Sequence, residues 1–229
     1  DAKYGKIKSR AGIFATSYAR TREKFAAGML AGGAGESITF GGRVYSTACA
    51  DGKPLFAADH PSITGRGAAQ ANLFKAAFSV ETLDAVQERM QGFTDDDGNL
   101  LDVAPDTILI PNVGSLKRQV LAAVGSDLDP NTANNALNFQ VGLWNVLVWN
   151  YLPKTIGGKP YFILMDADFK DSYECLPWVD RLPLSVRSDI DPNTDANVFK
   201  GRARFGAGFN NWRCIALCGE GLSSGVSLA

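Results

Sequence analysis

The residues with the richest chemical vocabulary share one stretch, Asp51-Gly-Lys-Pro-Leu-Phe-Ala-Ala-Asp-His-Pro-Ser62. It holds the only histidine of the chain, His60, directly after Asp59 and two residues before Ser62. An imidazole near an acid and a hydroxyl suggests hydrolysis, with the histidine taking a proton from a nucleophile and the acid orienting the ring. The spacing speaks against it. Adjacent side chains diverge, Ser62 follows a proline, and no Gly-x-Ser-x-Gly turn occurs to present a nucleophile. A loop histidine that stabilises a turn is the expectation, and a hydrolase using Asp59 and His60 is the weaker alternative.

Metal chemistry finds no better footing. One histidine without a Cys-x-x-Cys pair cannot supply the usual zinc set. Cys214 and Cys218, in a strand, fall on one apolar face with Ala216 and read as buried thiols. Asp95-Asp96-Asp97-Gly98 looks like a calcium loop, but with Gly98 sixth the first ligand would be Phe93 and the bidentate acid Ala104. It is expected to be a solvated turn. Gly32-Gly-Ala-Gly-Glu-Ser37 lacks the phosphate-loop lysine and follows a helix instead of preceding one. No catalytic, cofactor-binding or metal-binding residue is nominated, and no cofactor is expected.

The elements around these residues are legible from periodicity. Lys3 to Ile13 is polar and reads as a strand or extended lead-in. From Phe14 the period becomes helical, with Phe14, Tyr18, Phe25 and Met29 on one face and Arg20, Glu23, Lys24 and Ala27 away from it. The helix stops at Gly32-Gly33. Ile38 to Ala50 reads as a hairpin turning at Gly41-Gly42, and Asp51 to Gln70 as a long loop.

Ser79 caps a second helix with Val80, Leu83, Val86 and Met90 inward, ended by Gly92. Thr107 to Ile110 is a buried strand stopped by Pro111. Ser115 to Val124 is a third helix with Leu116, Val120, Leu121 and Val124 inward, followed by a polar stretch from Gly125 to Asn135. Strands are expected at Trp144 to Trp149, Tyr161 to Met165, Leu184 to Ser188 and Trp212 to Cys218. Between the last two, Asn197 to Phe209 alternates. Phe199, Gly201, Ala203 and Phe205 form one face, and Lys200, Arg202 and Arg204 the other. Helices and strands mix without βαβ regularity, so the fold class is α+β.

With 229 residues, 45% of them apolar, the chain can bury a sizeable core. A net charge of −1 argues against a generally basic nucleic-acid binder. Cations nevertheless concentrate between Lys3 and Lys24 and along the Lys200, Arg202, Arg204 row; solvated faces are the default reading, and a long strand with one cationic face also suits contacts with acidic neighbours. Four scattered cysteines are too few for a disulfide framework. No apolar run reaches the ~18–20 residues a membrane helix needs, no signal peptide is recognisable, and no membrane partner is expected. The chain starts mid-pattern without an initiator methionine, so processing or trimming is expected.

Taken in order, the segments resemble the major capsid protein of tailed double-stranded-DNA bacteriophages, in its Mu-like major head subunit branch. Tyr18-Ala-Arg-Thr-Arg-Glu-Lys-Phe-Ala-Ala-Gly-Met-Leu30 resembles the C-terminal half of that family's long spine helix. Asp51 to Pro61 resembles its G-x-x-L-F-x-x-x-H-P segment. Pro105-Asp-Thr-Ile-Leu-Ile-Pro-Asn112 resembles its P-D-x-L-x-V-P-P strand, with Asn112 in place of the second proline. Thr132-Ala-Asn-Asn135 with Trp144 to Trp149 resembles the polar loop and strand beyond. Phe205-Gly-Ala-Gly-Phe209 with Trp212-Arg213 resembles the closing x-R-Y-x-x-G-x-x-W-R. The order, from Tyr4 to about Gly219, carries more than any single motif.

The resemblance implies a Hong Kong 97-type α+β capsid fold with a spine helix, a peripheral (P) domain over residues 1–104, an axial (A) domain over 105–197, and return strands over 198–229. The family's N-terminal arm and extended loop should precede Tyr4. It implies a non-enzymatic subunit that assembles in the host cytoplasm into an icosahedral shell of hexamers and pentamers around viral DNA. The expected partners are other copies of itself, packaged DNA by proximity, and portal, scaffold or decoration proteins. Arg20, Arg22, Lys24, Lys200, Arg202 and Arg204 are the candidate inter-subunit contacts. A cellular encapsulin-like nanocompartment shell, enclosing an enzyme, is the alternative within the same fold.

Overall fold

The computed structural model describes residues 2–126, 138–195 and 197–228. Its first element is a single helix, α1 (Ala2–Ala31), which at 1.5 Å per residue runs about 45 Å. The expected extended lead-in over Lys3 to Ile13 is thus corrected to helix. Gly5, Gly12 and the missing apolar stripe pointed to extended chain, yet no proline interrupts the segment. Ala, Lys and Arg propagate a helix readily once its far end is anchored.

That anchor is aromatic. Phe25 and Met29 are buried, Tyr18 is half-buried and Phe14 is exposed. Phe25 meets Phe40 and Tyr45 on one side and Trp178 and Phe205 on the other, all edge to face at 4.9–6.0 Å. Because the helix is covered from two sides here, Ala27 is buried as well, contrary to its expected place off the stripe.

The glycine turn folds as expected. β1 (Ser37–Phe40) pairs with β2 (Arg43–Ser46) through Gly41 and Gly42, whose φ of 57° and 76° give the turn that matches strand twist. The helix α2 (Val80–Gln91) is capped by Ser79, which accepts from the Thr82 N–H, and buries Leu83, Val86 and Met90. α3 (Gly114–Gly125) buries Leu116, Val120, Ala123 and Val124. Leu121 is 54% exposed instead of inward, because Ala123 takes its place on the buried face. The expected polar stretch lies mostly outside the described residues, as does Thr132 to Asn135.

The core is a six-stranded mixed sheet in the order β10-β3-β9-β6-β4-β5. Its members are β3 (Leu73–Lys75), β4 (Thr107–Pro111), β5 (Asn145–Trp149), β6 (Tyr161–Met165), β9 (Ile215–Gly219) and β10 (Val226–Ser227). β4 and β9 are buried at every residue and β6 at all but its last, which explains their unbroken apolar runs. The closing strand starts at Ile215, not Trp212. Three short elements escaped the periodicity: β3 at three residues, β10 at two, and α4 (Ala167–Ser172), capped by Asp166.

Apart from the sheet stands a long antiparallel hairpin of β7 (Trp178–Ile190) and β8 (Asn197–Ala207). β7 extends the expected Leu184 to Ser188 strand at both ends. Register shifts between Asp180, Leu182 and Ser185 mark bulges near its base. Helix α1 lies against one face of this hairpin. The ring of Phe14 approaches Gly201 so closely that a Cβ there would fall 2.0 Å from it, so a side chain at that position would have to displace the ring.

Candidate functional site

His60 is 1% exposed and has no free ring nitrogen. Nδ1 lies 2.6 Å from Asp51 Oδ2 and Nε2 lies 3.0 Å from Asn72 Oδ1. The Asn72 carboxamide is oriented by its own NH2, which donates to the carbonyls of Leu55 (2.7 Å) and Ile215 (3.0 Å). Its oxygen therefore faces Nε2 and also accepts the Ala57 N–H at 3.0 Å. The imidazole stacks on Trp212, with centroids 4.1 Å apart, and the Arg213 guanidinium lies over the same indole at 4.8 Å. Arg213 then donates to Thr94 O and pairs with Asp96 at 3.0 Å.

Chemically this cluster ties pieces of chain together and offers nothing to a substrate. Nε2, where a triad would present a nucleophile, is taken by an amide oxygen. Asp59 turns to Lys53 at 2.8 Å, and the Ser62 hydroxyl donates to Asp96 O at 2.7 Å. Burial is the largest influence on His60 and holds its pKa below the ordinary 6.5, against the opposing pull of the Asp51 hydrogen bond and charge. The expected turn-stabilising histidine is found in a larger role: it pins the 51–70 loop to the strand at the centre of the sheet. The acid that serves it is Asp51, nine residues away, and neither Asp51 nor Asn72 carries a sequence signal for that role.

The remaining sequence candidates behave as plain structure. Asp95 closes a turn by accepting from the backbone N–H groups of Asp97 and Asn99 and from the Asn99 amide, which lowers its pKa. All four thiols are free and buried, and burial pushes Cys49 and Cys218 up to about 12. Among the described residues no group of three acids, histidines or cysteines could hold a metal, and no helix is long and apolar enough to cross a membrane.

Charge and exposure are concentrated on α1 and the hairpin. The six basic candidates do not form one patch. Arg22 is half-buried: it pairs with Asp180 at 2.9 Å and lies over the Trp178 ring at 4.9 Å, pinning helix to hairpin within the subunit. Lys200 pairs with Asp189 at 2.6 Å. Arg20, Lys24, Arg202 and Arg204 are exposed, and Arg202 and Arg204 have no ion-pair partner among the described residues. Alternation on β8 is as read from sequence, with Gly201 and Phe205 against α1 and the cations on the far face.

The result is a molecule whose buried polar groups are largely spent on its own cohesion, while its longest strands and free cations face outward. A sequence model of the family described as phage capsid protein matches residues 1–217, and the chain belongs to that family. No curated protein matches the chain in sequence. Among solved structures, a Mycobacterium phage Patience chain is 11% identical with a TM-score of 0.50, covering 92% of this chain and 62% of that one. The capsid of an empty GTA particle is 14% identical with a TM-score of 0.47, covering 90% and 66%. The chain thus spans less than two thirds of the length of either. Its fold is the expected α+β capsid fold of the Hong Kong 97 type.

Proposed function

We propose that many copies of this chain tile a closed icosahedral shell around packaged viral DNA, in rings of five and six, assembled in the host cytoplasm. The observation that supports this reading most is the family match across residues 1–217. The architecture agrees with it: a two-stranded ribbon as long as β7–β8 is marginal alone and leaves both outer edges unpaired, so it gains from neighbours. Portal, scaffold or decoration proteins and the DNA itself are further partners in this reading. DNA is met by proximity, since three or four cations give little of the counterion release that drives polyanion binding.

In domain terms, the peripheral part is best drawn by contact: α1 with the β7–β8 hairpin. The axial part is then the sheet with α2 and α3. Boundaries at residues 104 and 197 would separate β7 from β8 and divide a sheet shared by β3, β9, β4, β5 and β6. For inter-subunit contacts Arg202 and Arg204 come first, with Arg20 and Lys24 behind them. Arg22 and Lys200 would contribute only by exchanging their internal partners.

Electron microscopy of the purified full-length protein tests the function: regular closed shells are expected, holding nucleic acid when taken from infected cells. Protein cargo in place of DNA, or a protein that stays monomeric under every assembly condition, overturns it. For the contacts, R202E combined with R204E should abolish particles while the subunit still folds. Normal particles would rule the row out.

A further inference from the structure

Strand β5 ends the six-stranded sheet and, among the described residues, pairs on one side only, parallel to β4. Its hydrogen-bonding directions follow from one contact. The Asn145 N–H donates to Asp106 O at 2.8 Å, so Asn145, Leu147 and Trp149 face β4. By the two-residue alternation, the N–H and C=O of Val146 and Val148 lie on the open edge. Strand edges of this kind are ordinarily guarded by lysine, proline, a bulge or a covering element. Asn145-Val-Leu-Val-Trp149 has no charge, no proline and no bulge in its register with β4.

Its faces are covered only in part: Val146 and Trp149 are half-buried against the core, with the Trp149 indole N–H donating to Glu23 at 2.7 Å. Leu147 and Val148 point to opposite sides of the sheet, yet they are 42% and 40% exposed. Large apolar side chains continue the patch on both flanks: Phe139, 85% exposed, and Leu143 lead into the strand, and Tyr151 follows it. Such a patch around an unguarded edge marks an interaction surface.

We infer that the β5 edge is a subunit–subunit contact, taking an extended segment of a second copy of this chain by strand addition. The inference rests on the capsid reading and names a surface within it. The chemistry selects the occupant. Main-chain donors and acceptors in a row recognise an extended backbone. A surface without charge gives nothing to a polyanion, and the proposed shell supplies further copies of this chain as neighbours. Five residues of strand fall short of the roughly 1,000 Å² a stable interface buries, so this edge acts alongside the hairpin contacts and not in place of them.

Hydrogen exchange of the full-length protein, compared between dissociated subunits and shells assembled from this chain alone, reads the edge directly. The Val146 and Val148 amides should exchange freely in the subunit and slow by roughly 100-fold or more in the shell. Val148→Pro removes an outward donor without touching a β4 bond, and should leave a folded subunit that no longer forms particles. Should that variant misfold, Leu147→Lys keeps every backbone group and supplies the missing guard; it should cut particle yield at least tenfold. Unprotected amides inside intact shells, or normal shells from Leu147→Lys, overturn the inference and leave the capsid reading standing. Failure of the unmodified chain to form any shell overturns the capsid reading, and the inference with it.

Discussion

Strands β8 and β9 are neighbours in sequence and opposites in surroundings. β9 has a partner on each side and not one exposed residue, and the His60 cluster behind it leaves no polar atom idle. β8 has one partner, an aromatic helix on one face and a row of cations on the other. A buried hydroxyl without a partner among the described residues occurs in both regions, on Tyr18 beside Phe205 and on Tyr161 of β6. β9 is enclosed within the subunit, whereas the far face of the hairpin, like the β5 edge of the sheet, stays open among the described residues.

The sharpest way to break this contrast is Phe25→Ala, because Phe25 touches both the first hairpin and the long one. Removing so enclosed a ring should cost about 3–5 kcal/mol, read by chemical denaturation. A loss below about 1 kcal/mol, the level of a surface change, would sink the claim that α1 is welded to the hairpin by this residue. Asn72→Ala should come next, at about 1–3 kcal/mol, since it strands His60 Nε2 and buried main-chain groups at once.

Acid offers a third test. The pKa of His60 is lowered by folding, so its contribution is fully present above the unfolded value near 6.5 and is lost as the pH falls below it. The unfolding midpoint should therefore drop more between pH 7 and pH 5 for the natural chain than for His60→Gln. Equal slopes would remove His60 from the account. The smallest effect belongs to the hairpin: R202E with R204E should change subunit stability by less than about 0.5 kcal/mol, while assembly fails. A large loss of stability would show that the row supports the fold and erase the contrast.

How far sequence carried depended on how local the cause was. α2 was legible to the residue because its cap and its stripe lie within it, and the Gly41-Gly42 turn because its backbone demand is local. The first third of α1 was not, because its sequence carries no apolar stripe and so no periodic signal. Ala27 and Leu121 were misplaced because which flank of a helix is covered depends on elements far away in the chain. β3 is too short to show a period at all. At the site, the alternation on β8 was plain, but Arg22 turning inward rests on Asp180, 158 residues away, and Asn72 as the keeper of His60 rests on carbonyls of Leu55 and Ile215. Distance in sequence, more than complexity, set the limit.

The place of β9 in the sheet also fixes a timetable. It lies between β3 and β6, pairing Leu73 with Leu217 and Ile163 with Leu217. On a ribosome moving at about 5–20 residues per second, β6 is finished roughly three to ten seconds before β9. Until then β3 has no neighbour to join it to β6, and Asn72 and His60 wait for Trp212 and Ile215. Until β9 emerges the nascent subunit is two unfinished halves, and the segment that unites them is made only after both.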